Sequence, residues 1–246
     1  MTYAGLDIGS RTIVLVELDG EIKDFRVIDA GPNPLQRCQA LVAGKAYTRL
    51  VATGYGRRLA LNGLAQDTVS EIKAYAVGAR YLYPDCHTVI DVGGQDCKVT
   101  RLADIGDVQR FEMNDRCAAG TGAFLEAMAR TLEMPIEELG EHALAGTGPV
   151  RINSLCTVFA QSEVVSLIAR GADSRDIALG VHEAIATRVA GMARRLSPKE
   201  RVVFAGGGAL NRCLRQLLSQ KLGLDVTVPE QPQIVGALGA ALVARG

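Results

Sequence analysis

The sequence predicts an α/β protein built from two similar domains. Segments rich in β-forming residues alternate along the chain with helix-like segments, which is typical of α/β folds. Residues 6–18 (LDIGSRTIVLVEL) resemble residues 90–102 (IDVGGQDCKVTRL), and each has an Asp-x-Gly turn between two strand-like runs. Residues 200–223 add a strand, a glycine-rich turn and a helix. The similar segments begin 84 residues apart, which indicates an internal duplication.

The composition bounds the class of protein. The chain has 246 residues, of which 48% are hydrophobic, enough for a packed core in one large domain or two ordinary ones. The 27 basic and 27 acidic residues cancel, and tryptophan is absent, so we expect no nucleic-acid partner. We also expect no membrane partner, because no apolar run is long enough to span a bilayer. Since no signal-peptide pattern begins the sequence, we expect a cytoplasmic location with reduced thiols.

Two helices are predicted to meet. Residues 68–83 favour a helix with Thr68 as N-cap and Glu71 closing a capping box. Residues 234–244 (IVGALGAALVA) favour a second helix, in which repeated glycine requires a packing reason. We expect these helices to cross closely at a domain junction, the alternative being an ordinary core helix.

The duplication suggests domain limits. We expect a first domain over residues 1–84, to which residues 232–246 return as a helix. A second domain is expected over residues 85–231, and it contains the segments around Cys117 and Cys156.

The paired Asp-x-Gly turns indicate a site for Mg²⁺ and a triphosphate. Magnesium prefers one or two carboxylates together with water and phosphate oxygens, and Asp7 and Asp91 supply them from equivalent positions. Gln95 is predicted to orient the attacking water. Because glycine lets the backbone approach phosphates and a flat base closely, the predicted nucleotide contacts are Gly9, Ser10, Arg11, Gly93, Gly94, Gly206, Gly207 and Gly208.

Two common nucleotide motifs do not fit. The dinucleotide fingerprint GxGxxG needs a third glycine where AGGGALN has Asn211, and the chain lacks the P-loop pattern GxxxxGK[ST]. A P-loop is therefore excluded, and NAD binding is a poor interpretation of these motifs.

The order of the motifs resembles the superfamily of actin, heat-shock chaperones and sugar kinases. Residues 114–126 and 152–169 are similar to signatures of the activator ATPases of 2-hydroxyacyl-CoA dehydratases, the ATPase subunits of benzoyl-CoA reductase and the reductases of double-cubane cluster proteins. The motifs TGYGR, DVGGQDCK, AGGGALN and PQIVGALGAAL fit the same pattern over essentially the whole chain. The resemblance implies two ribonuclease-H-like domains with ATP or ADP in the cleft between them, and Asn211 and Gln233 beside the nucleotide.

The same resemblance implies a homodimer that shares one [4Fe–4S] cluster. Such a cluster usually takes four cysteine thiolates, and Cys117 and Cys156 from two chains supply four. Both precede a predicted helix, whose N-terminus suits an anionic cluster. We expect buried thiols at the other cysteines and ordinary surface or core roles for the histidines: Cys38, Cys86, Cys97, Cys213, His87, His142 and His182.

Three functions remain open on the sequence. The first is an ATP-driven electron donor that receives electrons from ferredoxin or flavodoxin and activates an iron–sulfur dehydratase or reductase. The second is a small-molecule kinase, and the third is a nucleotide-gated binding protein without redox chemistry. The two cysteine-bearing segments favour the first, because a kinase has no use for them.

Overall fold

The computed structural model describes residues 1–154 and 156–246. Its first sheet has five strands in the order β3-β2-β1-β4-β5, in which β1, β2 and β3 are successively antiparallel, and β1, β4 and β5 are parallel. The strands are β1 (Tyr3–Ile8), β2 (Thr12–Asp19), β3 (Glu21–Asp29), β4 (Arg49–Thr53) and β5 (Asp67–Thr68).

The second sheet repeats this topology strand for strand. Its order is β8-β7-β6-β9-β10, with the same antiparallel and parallel neighbours. The strands are β6 (Thr88–Val92), β7 (Cys97–Leu102), β8 (Val108–Asn114), β9 (Val202–Ala205) and β10 (Val226–Thr227). The predicted α/β class with an internal duplication is therefore confirmed, and the duplication covers five strands rather than two.

Helices cover both sheets. Helices α1 (Pro34–Val42) and, at the end of the chain, α8 (Val235–Arg245) lie against the first sheet, and α2 (Glu71–Leu82) lies between α8 and the second sheet. The second sheet is accompanied by α3 (Gly122–Thr131), α4 (Ile136–Leu144), α5 (Thr157–Ala169), α6 (Ser174–Arg195) and α7 (Arg212–Leu222). In the described part of the chain, no helix combines the length and hydropathy needed to cross a membrane.

Helix α8 packs against β1, β2 and β4, on the face of the first sheet opposite α1. The central strand of the second sheet is buried on both faces, since every residue of β6 is buried. The proposed domain boundary at residue 84 stays a prediction.

The close crossing of α2 and α8 is confirmed. A Cβ atom at Gly78 would lie 2.1 Å from the carbonyl oxygen of Val235. Helix α2 also contacts β6, β7 and β8, so the crossing lies between the two sheets. The small residues therefore allow the main chains of the two helices to touch.

The predicted N-cap of α2 is wrong by two residues. Thr68 belongs to β5, where it lies in register with Ala52 of β4, and the N-cap is Ser70, whose hydroxyl accepts from the N–H of Lys73. Glu71 is consequently the first helical residue and cannot close a capping box. Its carboxylate points into the cleft instead.

Candidate functional site

A cleft of about 340 Å³ lies between the two sheets. This volume is in the range of small-ligand sites. The residues that the sequence predicted around Mg²⁺ and nucleotide all line it: Asp7, Gly9, Ser10, Arg11, Asp91, Gly93, Gly94, Gln95, Gly206, Gly207, Gly208, Asn211 and Gln233. Cys117 and Cys156 do not line it, so the two candidate sites are separate.

The two aspartates occupy equivalent positions beneath equivalent glycines. Asp7 and Asp91 lie near the carboxyl ends of the central strands β1 and β6. A Cβ atom at Gly54, just after β4, would lie 2.4 Å from Asp7 Oδ1, and one at Gly206, just after β9, would lie 2.3 Å from Asp91 Oδ1. Both glycines have a positive φ, +90° and +81°. Only glycine leaves room for these carboxylates.

Four carboxylates line the cleft close to one another: those of Asp7, Glu71, Asp91 and Asp96. Burial, followed by the nearby charges of Glu71 and Asp91, raises the pKa of Asp7 to about 8. Burial also raises the pKa of Asp91 to about 7, against the lowering effect of Lys98. Asp91 Oδ1 is buried and has no hydrogen-bond partner among the described residues. A buried, unpartnered carboxylate oxygen beside a second carboxylate fits a divalent cation.

Lys98, a buried residue whose ammonium group contacts three residues that line the cleft, was missed by the sequence analysis. Its Nζ lies 2.7 Å from Asp96 Oδ1, 3.3 Å from Glu71 Oε1 and 3.5 Å from Asp91 Oδ2. Burial alone would lower the pKa of Lys98, but these three carboxylates raise it above its usual value. Lys98 is thus a permanent cation that partly neutralises the cluster. Its position in DVGGQDCK, on the second strand of the hairpin, was the available signal.

The two hairpin turns face each other across the cleft. A Cβ atom at Gly94 would lie 2.9 Å from the Cβ atom of Arg11. The Arg11 guanidinium forms a 3.0 Å ion pair with Glu126 of α3 and remains largely exposed. A contact of Arg11 with phosphate stays a prediction, as does the role of the exposed Gln95.

Asn211 is oriented by a buried histidine. Its Oδ1 accepts from the N–H of Leu214 at 3.0 Å and caps α7, which leaves Nδ2 facing His182 Nε2 at 2.8 Å. His182 Nδ1 lies 2.7 Å from the carbonyl oxygen of Ala178. The Ala178 carbonyl can only accept, so Nδ1 carries a proton; the Asn211 NH₂ group can only donate, so Nε2 carries none and the imidazole is neutral. Burial lowers the pKa of His182 and favours that form. His182 is therefore buried, in line with the expected surface or core role, and it also orients Asn211.

The N-terminus of α3 is attached to the second hairpin turn. The N–H groups of Gly122 and Ala123 donate to the carbonyl oxygens of Gly93 and Gly94, each at 2.8 Å. The expectation that this helix end serves Cys117 is therefore wrong: Cys117 lies five residues before α3, and the first N–H groups of α3 are used by the turn. Cys156, in contrast, is itself the N-cap residue of α5.

The six cysteines fall into two groups. Cys156 is exposed and Cys117 is half-buried, whereas Cys38, Cys86, Cys97 and Cys213 are fully buried. Burial raises the pKa of these four thiols to about 11 or 12. Within residues 1–154 and 156–246, no three His, Cys, Asp or Glu side chains form a metal-binding group. The helices that follow the two accessible cysteines, α3 and α5, pack against each other.

Helix α5 has an apolar face that the described part of the chain leaves exposed. Val158 and Phe159, just after Cys156, are 65% and 66% exposed. Val165 and Ile168 extend the exposed apolar surface along the helix. Adjacent exposed apolar side chains of this kind are typical of a protein–protein contact.

Comparison with known proteins agrees with this geometry. The model of a family described as the BadF/BadG/BcrA/BcrD ATPase family matches residues 39–244. The chain belongs to this family. The (R)-2-hydroxyglutaryl-CoA dehydratase activating ATPase of Acidaminococcus fermentans is 40% identical over 98% of this chain and 95% of its own.

Solved structures support the fold of a BadF/BadG/BcrA/BcrD ATPase. The activator of the 2-hydroxyisocaproyl-CoA dehydratase from Clostridium difficile, with bound ADPNP, superposes with a TM-score of 0.91 at 37% identity, over 99% of this chain and 94% of that one. A ROK-family glucokinase from Streptomyces griseus, 15% identical, has a TM-score of 0.60 over 100% of this chain and 99% of its own. The latter shows the fold alone, and it confirms the predicted sugar-kinase type of architecture.

Proposed function

We propose that the protein is an ATP-dependent activator that delivers low-potential electrons, one at a time, to an iron–sulfur partner enzyme. The partner is a 2-hydroxyacyl-CoA dehydratase or a double-cubane cluster protein. After each transfer, reduced ferredoxin or flavodoxin supplies the activator with a new electron. One observation carries the redox part of this proposal. Of the six cysteines, Cys117 and Cys156 alone are accessible, and both lie outside the nucleotide cleft.

The cleft supports the ATPase part of the proposal. Asp7 and Asp91 would hold Mg²⁺ from the two sheets, and Gln95 would orient the attacking water. The unpartnered Asp91 Oδ1 and the glycines packed over both carboxylates support these roles. Positioned charges supply most of the catalysis in phosphoryl transfer, because the chain has little covalent chemistry to perform.

A homodimer follows from the number of thiolates. One chain offers two accessible thiols, and a [4Fe–4S] cluster, which would store and release single electrons here, usually takes four. The apolar face of α5 begins beside Cys156 and would be buried against a second copy. Burying one phenylalanine or valine side chain contributes roughly 1.5–3 kcal/mol. The partly positive N-terminus of α5, at Cys156, would also favour an anionic group.

The two sites have a direct connection through α3. The carbonyl groups of Gly93 and Gly94 hold the start of α3, which in turn packs against α5. Closing of the cleft around Mg·ATP would move the turn, and α3 and α5 would move with it. Nucleotide state would thereby change the surroundings of Cys117 and Cys156 and the surface offered to the partner.

Anaerobic reconstitution tests the proposal. We expect brown protein with about four iron atoms per dimer, and loss of that iron in Cys117→Ser and in Cys156→Ser. Cys213→Ala, which alters a buried thiol, is the control and keeps the iron. Colourless, iron-free wild-type protein that still hydrolyses ATP would favour a kinase or a nucleotide-gated binding protein instead.

A further inference from the structure

The loop that contains Cys117 is held by the side chain of Asn114. Asn114 is the last residue of β8 and lies in register with Cys97 of β7. Its Nδ2 donates to the carbonyl oxygen of Cys117 at 2.8 Å and to that of Ala119 at 2.9 Å. One amide group therefore holds the main chain at Cys117 and again two residues later.

The orientation of this amide is set by Arg188 of α6. Arg188 Nη2 donates to Asn114 Oδ1 at 3.3 Å. A guanidinium group can only donate and a carbonyl group can only accept, so the three contacts are compatible with a single orientation of the Asn114 amide. Arg188 thus reaches the Cys117 loop through one intermediate side chain.

Arg188 also packs directly against the loop. A Cβ atom at Gly120 would lie 3.1 Å from Arg188 Cδ, and Gly120 has a φ of +90°, which favours glycine. The Nε atom of Arg188 is buried and has no hydrogen-bond partner among the described residues. A buried, incompletely paired cation is costly unless negative charge lies nearby.

We propose that Asn114 and Arg188 are positioning residues for the cluster ligand Cys117. Asn114 holds the loop, and Arg188 places positive charge beneath it, which stabilises the reduced, more negative state of the cluster. This inference rests on the proposed function. Hydrogen bonds and charges outside the ligands themselves help to set the potential of an iron–sulfur centre.

The test is an anaerobic redox titration of the reconstituted dimer without nucleotide, with iron content and the electron paramagnetic resonance spectrum measured in parallel. Arg188→Met removes the charge, and we expect the reduction equilibrium to shift at least tenfold toward the oxidised form, which for one electron is about 59 mV. Arg188→Lys retains the charge and should restore most of the shift. Asn114→Asp sets a carboxylate against two carbonyl oxygens and should alter the spectrum or lower the iron content.

Arg195→Met is the matched control. Arg195 lies on the same helix and binds Glu112 of the same strand at 2.8 Å, and no hydrogen bond links it to the Cys117 loop among the described residues. The Arg195→Met variant should leave the reduction potential and the electron paramagnetic resonance spectrum unchanged. If circular dichroism shows that the Arg188→Met variant is unfolded, Arg188→Gln takes its place, with the same expected shift in reduction potential.

The inference is overturned if the charge-removing variants hold iron with wild-type potential and spectrum. It is also overturned if Arg195→Met shifts the potential as much as Arg188→Met does. Failure of the proposed function has a different signature: either the reconstituted wild-type protein holds no iron, or Cys117→Ser retains it, whatever the behaviour of the Arg188 variants.

Discussion

Gly239 of α8 lies directly against the main chain of Ala74 in α2. A Cβ atom at Gly239 would lie 1.7 Å from the Ala74 carbonyl oxygen. Since a carbonyl oxygen in a helix cannot rotate away, Gly239→Ala forces the two helices apart. Overpacking of this kind costs about 3 kcal/mol or more, which for a chain of this size lowers Tm by roughly 6–12 °C.

Gly191→Ala is the control for this prediction. Gly191 also lies inside a helix, α6, but the nearest atom to its Cβ position is 3.9 Å away on a flexible arginine. Alanine there should raise Tm by a few degrees, because glycine in a helix interior costs roughly 0.5–1 kcal/mol. Differential scanning calorimetry of both variants decides whether the crossing is as tight as described. Equal Tm values would contradict it.

Asp7→Asn should remove most of the ATP turnover and yet stabilise the metal-free protein against unfolding. In EDTA, folded Asp7 keeps its proton up to about pH 8, whereas an unfolded chain releases it near pH 4. The folded state thus binds more protons between these values, and the free energy of unfolding falls as pH rises from about 4 to 8. The variant should lose much of this slope and be the more stable protein at pH 8.

Urea unfolding at pH 5 and pH 8 measures that slope. With Mg²⁺ restored, ATP turnover of Asp7→Asn should be lower by on the order of 10²–10³. Asp19→Asn, at an exposed position at the end of β2, should change neither quantity. A variant with wild-type ATP turnover would exclude Asp7 from the metal site.

His182 offers a test of the nucleotide turn. His182→Leu removes the acceptor for Asn211 and leaves a buried N–H unpaired, so ADP should bind about fivefold to tenfold more weakly. His182→Gln keeps an acceptor and should bind nearly normally. Isothermal titration calorimetry measures both.

The same residue predicts a pH dependence. Burial lowers the pKa of His182, so its contribution to stability is complete above the ordinary histidine pKa of about 6.5 and is lost as the pH falls through the lowered value. Wild-type protein should lose ADP affinity only in acid, where an imidazolium can no longer accept from Asn211. His182→Gln should not show that loss, and an identical pH profile would contradict the assignment.

Phe159 of α5 should contribute to the dimer. Phe159→Glu would place two negative charges in the interface of a symmetric dimer, one from each chain. Loss of at least 1.5 kcal/mol of burial per chain weakens the dimer by at least about a hundredfold. Sedimentation velocity of the iron-loaded protein measures this. Ile105→Glu, at a hairpin tip where Ile105 is 83% exposed, should leave the dimer intact, and a Phe159→Glu dimer of wild-type strength would exclude this face.

Local pattern alone was sufficient for a large part of the fold and of the nucleotide site. The hairpins of Asp7 and Asp91, the glycine turn at Gly206 and the small residues of α8 are each short segments whose role follows from strand, turn and helix chemistry. Their assembly in one cleft was predictable because duplicated topology brings equivalent strand ends together.

Other features depend on residues far apart in the sequence. The equivalence of Gly54 with Gly206 becomes visible only when β4 and β9 are seen as parallel neighbours of β1 and β6. Likewise, Glu71 does not close a capping box because Ser70 is the N-cap of α2, and its carboxylate pairs instead with Lys98, 27 residues further along the chain.

By itself, then, the sequence determined the α/β class, the duplication and many of the residues that line the cleft, because these depend on periodicity and on backbone conformations set within a few residues. Only the tertiary structure decided the pairing of Lys98, the tautomer of His182, the attachment of α3 to the turn at Gly93 and the support of Cys117 by Asn114 and Arg188. Apart from the short link between Asn114 and Cys117, these hydrogen bonds and ion pairs join groups 27 to 74 residues apart. Their geometry exists only once the helices and sheets have packed.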